Sequence, residues 1–276
     1  MSDVNTMSTD PGRSAEAAEE HRRRQPKVRN IDGRDIAEAF AAGLADFRAA
    51  PIHGLFFGGF YAIGGLFLVW LTFGVGIGYL TYPFATGFAL LGPFVAVGCY
   101  EVSRRREAGM PLAWRGILGA MFDQSRRELG WMAFVTLFIF LMWMYQVRIL
   151  LVLCLGLKNF TTASEFLHVA TSTPEGFLFL ALVHLDGAIV SLVAFTLTVV
   201  SFPILLDREV DFITAMITSV KAVIANPKTM LAWAAIVTAL MFVAVIPAFV
   251  GLFVVLPVLG HTTWHLYRRL VAPPEA

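Results

Sequence analysis

The chain has 276 residues, of which 57% are hydrophobic and 15% charged, with a formal net charge of +1. Charged residues make up about 25% of an ordinary soluble domain, so the composition excludes a water-soluble globular fold and points to a bilayer as the solvent. Two cysteines, Cys99 and Cys154, each lie inside an apolar run; they offer neither a disulfide framework nor a zinc spacing and read as small core residues.

Residues 1–30 are rich in Ser, Asp, Glu, Ala and Arg and contain no apolar run, the composition of a disordered tail. No apolar stretch follows the basic cluster His21, Arg22, Arg23 and Arg24, so a cleavable signal peptide is not expected. Those arginines with Lys27 and Arg29 would add about 1 kcal/mol each of attraction to an anionic bilayer.

From 32 to 50, Ile36, Phe40, Leu44 and Phe47 recur at helical spacing with Asp35, Glu38, Asp46 and Arg48 off the stripe, which predicts an amphipathic surface helix. Pro51 ends it and suits the first turn of the next. Residues 54–73 are long enough to cross a bilayer, which takes about 20 residues. Glycines at 54, 58, 59, 64 and 65 mark that helix as closely packed. Residues 84–100 return, broken at Gly92 and Pro93, and end in Glu101 and Arg104, Arg105 and Arg106, a helix-end charge cluster.

The pattern then recurs. An amphipathic piece at 112–129 precedes a span at 131–157, a polar linker at 158–175 and a return at 177–206 with Pro203 near its end. A third amphipathic piece at 211–226 ends before Pro227, and 35–51 aligns with 211–227 at Asp35 and Asp211, Ala39 and Ala215, Ala49 and Ala225, and Pro51 and Pro227. The final run, 230–266, would be roughly 55 Å long as one helix, nearly twice the ~30 Å hydrocarbon core. With Pro247 at its middle and Pro257 beyond, it is expected to fold back.

The expected fold is therefore an all-α membrane protein with six transmembrane helices in three hairpins, each preceded by an interfacial helix. The units are 32–106, 112–208 and 211–270, a degenerate threefold repeat, with a disordered tail at 1–30 and a short one at 271–276. The break prolines Pro93, Pro203 and Pro257 mark the return helices. If both termini share one side, that side holds 19 of the 21 Lys and Arg residues, the exceptions being Lys158 and Arg148. Such asymmetry marks a cytoplasmic face.

Two constellations bear on function. Arg148 lies in one apolar run of the middle hairpin, and His184 and Asp186 in the other. Charges inside a span pair with each other or face water, so an Arg148–Asp186 pair is expected at compatible depths, with His184 near it. It would serve either a proton or anion relay or, more simply, a buried ion pair fixing hairpin register. The second is Gly260 to Arg269, GHTTWHLYRR, where His261 and His265 share a helical face at a spacing suited to metal or, for one of them, haem ligation. His53 is the candidate third partner. Trp264, His265, Tyr267 and Arg268 also suit an aromatic and basic belt at a membrane interface.

GHTTWHLYRR, with the proline-bearing last span and the interfacial helices before apolar hairpins, resembles a bacterial integral-membrane family of unknown function, some of whose members are labelled cytochrome c oxidase subunit I-like. The likeness covers roughly 30–270. It implies an inner-membrane protein associated with respiratory enzymes and carries over no catalytic residue. Six histidines, of which His21 and His168 fall outside the spans, make a poor ligand set for two haems and a copper.

The chain lacks G-x-x-x-x-G-K-[ST], G-x-S-x-G and H-E-x-x-H, so nucleotide hydrolysis, that type of serine hydrolysis and zinc proteolysis lose support. Its basic clusters lie against membrane, so no nucleic-acid partner is expected. The favoured reading is a non-enzymatic accessory or scaffold protein without cofactor, bound to the bilayer and to respiratory subunits or to itself. The alternatives are a small-solute, ion or proton transporter using Arg148 and Asp186, and a haem- or metal-binding protein using His261 and His265.

Overall fold

The computed structural model describes residues 26–74, 92–125, 128–157, 160 and 163–273. Among these lie α1 (Gly33–Ala49), α2 (Pro51–Val69), α3 (Gly92–Glu107), α4 (Trp114–Ser125), α5 (Glu128–Leu155) and α6 (Ala163–Ser172). They are followed by α7 (Pro174–Thr198), α8 (Ser201–Asp207), α9 (Phe212–Ala225), α10 (Pro227–Val245) and α11 (Leu252–Leu270). The described residues form no strand beyond an isolated bridge between Val28 and Val271.

Asp32 starts α1. Its carboxylate accepts from the amides of Arg34 and Asp35 while that of Asp35 accepts from the Asp32 amide, a capping box made of two acids. The buried face of α1 is not the bulky stripe expected from spacing. It is Ile36, Ala39, Gly43 and Asp46, because small residues at 39 and 43 let α11 come close. A Cβ on Gly43 would lie 2.6 Å from the Thr262 backbone nitrogen.

The corner after α1 and the corner after α9 are nearly superimposable in backbone angle. Ala50 sits at φ −131° and ψ 53°, Asn226 at −128° and 51°, and a proline opens the next helix at Pro51 and Pro227. The proline has no N–H to spend in a first turn, where that donor would be unpaired anyway. The aligned segments 35–51 and 211–227 thus share a corner as well as residues. At the second corner the Asn226 side chain accepts from the Ile31 amide at 2.8 Å and donates to the Arg29 carbonyl at 3.0 Å. Residues 26–30, assigned to a tail by composition, are held there and against the chain's other end, where Arg29 N–H donates to Leu270 and Ala272 N–H to Lys27. Residues 1–25 and 274–276 lie outside the described residues.

Four helical segments among the described residues are long and apolar enough to cross a membrane: Pro51–Val69, Glu128–Leu155, Pro174–Asp207 and Pro227–Val245. Six were expected. Of the second expected span, 84–100, residues 84–91 lie outside the described ones and 92–100 form the first half of α3. The sixth, α11, does not qualify because its second half is polar and packed inside protein. The fold-back before it is present, and its turn places Ala248 and Phe249 in the left-handed region at φ 49° and 65°.

The three prolines lie within helices, and two of them have a neighbour that meets the freed backbone groups. Pro93 lies in the first turn of α3. Pro203 lies in α8, just past a two-residue break at Val199 and Val200. Ser219 of α9 fills that break, its hydroxyl accepting from Val200 N–H at 3.2 Å and donating to the Thr196 carbonyl at 2.8 Å. Pro257 sits inside α11 and removes the donor for the carbonyl four residues back, that of Phe253. Gly58 of α2 packs on that carbonyl, where a Cβ would come within 2.7 Å.

Candidate functional site at the charged end

The second half of α11, outside the apolar spans, is the hub of a polar cluster drawn from α1, α3 and α8. Side chains spaced three and four apart on α11 reach these three neighbours in turn. His261, Thr262 and Trp264 are fully buried, and Leu266, Tyr267 and Leu270 nearly so.

His265 Nε2 lies 2.7 Å from Asp46 Oδ2, and the other Asp46 oxygen takes Arg106 of α3. His261 Nδ1 lies 2.8 Å from the Ser103 hydroxyl. Trp264 Nε1–H donates to Glu107 at 3.1 Å, and Arg268 Nε–H to the same carboxylate at 3.0 Å. Tyr267 donates to Asp207 at 2.6 Å and accepts from Arg208. Arg269 pairs with Asp35 and Glu38 of α1 at 2.9 and 2.8 Å. Nearby on α3, fully buried Glu101 accepts from Arg104 and Arg105 at 2.7 and 2.6 Å.

Burial pushes the Asp46 carboxyl up, but hydrogen bonds from His265 and Ser103 and the pull of His265 outweigh it, and the group lies below its ordinary value. Burial pushes the His261 imidazole down to about 4, against the pull of Asp46 and helped by His265 and Arg106. His261 is therefore neutral, and its Nε2 is buried with no hydrogen-bond partner among the described residues.

Ser103, His261 and Asp46 are the residue types of a hydrolytic triad, but the geometry is not one. The hydroxyl contacts Nδ1, the carboxylate engages the other histidine, and Ser103 is fully buried. The arrangement locks four helices together.

The two histidines expected to share a face do come together, but not toward one point, since the His265 Nε2 is spent on Asp46. His53 joins neither. Its Nε2 donates to the Leu112 carbonyl at 3.2 Å and its ring lies 4.3 Å from that of Trp114. Among the described residues no group of three or more His, Cys, Asp or Glu side chains is gathered as metal ligands would be. The belt reading of Trp264 and Tyr267 is corrected: at 0% and 1% exposure they face protein. Sequence reasoning passed over Asp46, Ser103, Glu107 and Asp207. For Asp46 the signal was its place in register with Ala39 and Gly43, a small-residue stripe that an acid could extend only by finding partners.

In the middle hairpin the expected Arg148–Asp186 pair does not form. Arg148 is exposed, and no ion pair joins the two residues among those described. At 100° per residue, Arg148 points about 200° away from Gln146, a neighbour of the α5–α7 contact. Trp143 Nε1 of that same contact lies 3.6 Å from where Gly187 would carry a Cβ. Trp143 Nε1, Gln146 Oε1 and Asp186 Oδ2 are all buried without partners among the described residues. His184 is exposed and its Nδ1–H donates to the Leu180 carbonyl at 2.7 Å, one turn back on its own helix.

Residues 81–207 match the model of a family described as predicted integral membrane protein (DUF2189). With several apolar helices of spanning length, the chain is a multi-pass helical integral membrane protein. The match covers somewhat under half of the chain. It takes in the middle hairpin and the α3 and α8 sides of the charged cluster, and stops short of α11. No curated protein and no solved structure matches the chain.

Proposed function

We propose that the protein is a non-enzymatic accessory or scaffold protein of the bacterial inner membrane, with six spans in three hairpins and both termini in the cytoplasm. It serves subunits of a respiratory complex or its own oligomer. One observation carries the reading: the acids and bases of the charged cluster satisfy one another across α1, α3, α8 and α11. Groups so engaged build a platform at one end of the apolar helices rather than a site poised for reaction. Affinity purification of the full chain in mild detergent, followed by mass spectrometry, tests it. Consistent recovery of one set of membrane subunits, or of a defined homo-oligomer, is expected. A lone monomer whose melting temperature rises with one small solute would overturn it.

A second reading, transport of a proton, ion or small solute, draws on the buried polar atoms of Trp143, Gln146 and Asp186 between α5 and α7. Unpaired polar groups in hydrocarbon are costly and commonly mark pathways. Solute flux into vesicles carrying the protein, abolished by Asp186→Leu, is its signature. For haem or metal binding, the supporting observation is the buried free nitrogen of His261; a Soret band or bound metal in purified protein is the test.

A further inference from the structure

We propose that Arg148 holds the phosphate of a phospholipid from the leaflet opposite the charged end, with the lipid's upper chain lying in the groove beside it. The proposal goes beyond the scaffold reading and does not depend on it.

The depth of Arg148 comes first. The Glu128 carboxylate accepts from the Phe212 amide at 3.0 Å, at the start of the amphipathic helix α9. That bond anchors the beginning of α5 at the level where α9 lies. Arg148 follows 20 residues later, about 30 Å along the helix at 1.5 Å per residue, which is the thickness of a hydrocarbon core. A long side chain there reaches the headgroup layer by extending outward.

The surroundings come second. A groove of about 470 Å³ is lined by Met144, Tyr145, Val147, Arg148 and Leu151. These five residues share one side of α5 and are chiefly apolar, and Tyr145 is 66% exposed, the amphipathic residue type that settles at an interface. This side of α5 thus offers an apolar surface with one cation at its edge.

The missing partner comes third. Arg148 is exposed and forms no ion pair among the described residues. The internal stretches outside them, 75–91, 126–127, 158–159 and 161–162, contain no Asp or Glu at all. At that depth the abundant anion is the phosphate of a phospholipid, and a guanidinium meets two phosphate oxygens with two parallel N–H donors. Lysine carries the charge without the fork, so the two side chains are distinguishable.

The test uses the full chain in detergent and native mass spectrometry with added dioleoyl phosphatidylglycerol. The wild type should retain the lipid. Arg148→Gln should weaken binding about tenfold, the loss of one charge-assisted pair, and Arg148→Lys less. Leu151→Trp, which alters that surface but keeps the charge, should also weaken it. Glycerol 3-phosphate, the soluble source of the same group, should not displace the lipid. Equal lipid retention by wild type, Arg148→Gln and Leu151→Trp overturns the proposal. Displacement by glycerol 3-phosphate overturns the lipid assignment, and cross-linking from position 148 to a protein carboxylate assigns the cation to a partner instead.

Discussion

The imidazole of His265 sits 2.7 Å from the carboxylate of Asp46, joining the last helix to the first across 219 positions of sequence. Since Arg106 reaches the same carboxylate from α3, this acid holds three helices. Asp46→Ala should destabilise the protein by about 1–3 kcal/mol, because it leaves the half-buried donors of His265 and Arg106 without their acceptor. Thermal unfolding in detergent reads the loss, and an unchanged midpoint would refute the assignment.

Acid should loosen the same cluster through His261. Its imidazole stays neutral in the folded protein until about pH 4, whereas the unfolded chain takes up the proton near 6.5. Between those values the unfolded state binds more protons, so stability falls as pH is lowered through that window and is restored above it. The full effect is up to about 3 kcal/mol. Melting curves from pH 7 to 4 should show this slope flattened in His261→Gln.

Close helix crossings predict a contrast among glycines. At Gly43 a Cβ would strike the Thr262 backbone at 2.6 Å, while at Gly119 in α4 it would meet nothing within 4 Å. Backbone cannot step aside, so Gly43→Ala should cost about 1–3 kcal/mol. Gly119→Ala should stabilise α4 by somewhat less than about 1 kcal/mol. Similar effects from both would mean that α1 and α11 do not touch as described.

Arg148 and Asp186 should behave as independent sites. In a double-mutant cycle of Arg148→Leu and Asp186→Leu, stability changes are expected to add within about 0.5 kcal/mol. A larger coupling would show that the two side chains meet.

Ser219→Ala tests the break before α8. Without the hydroxyl, Val200 N–H and the Thr196 carbonyl both lose a buried partner, at an expected cost of about 1–3 kcal/mol. Ser219→Thr, which keeps the oxygen, should cost less if the methyl fits. Circular dichroism and melting in detergent separate the two variants.

Much of this architecture could be read from residues alone, because the bilayer imposes long apolar runs and proline punctuates them. The α1–Pro51 and α9–Pro227 corners, the return after Pro247 and the amphipathic pieces were all visible as spacing. What spacing could not supply was rotation. Periodicity placed Asp46 off the apolar stripe of α1 and Tyr267 in a belt, since each is polar or amphipathic. Their burial depends on partners 219 and 60 positions away. Depth likewise made Arg148 and Asp186 look like partners, whereas the angle around α5, fixed by Trp143 and Gln146 against α7, points the guanidinium elsewhere. Charge cancellation across distant helices leaves no local trace.

The strand-like meeting of Val28 with Val271, together with the hold of Asn226 on Arg29 and Ile31, sets an order of assembly. While the chain is being made, α1 waits for its support. The groove that receives it is built in part from α11, more than 200 positions downstream, so the charged platform closes only after α11 has been synthesised. Contacts this remote slow folding. Removing α11 would therefore unmoor α1, which would be among the first elements to come loose.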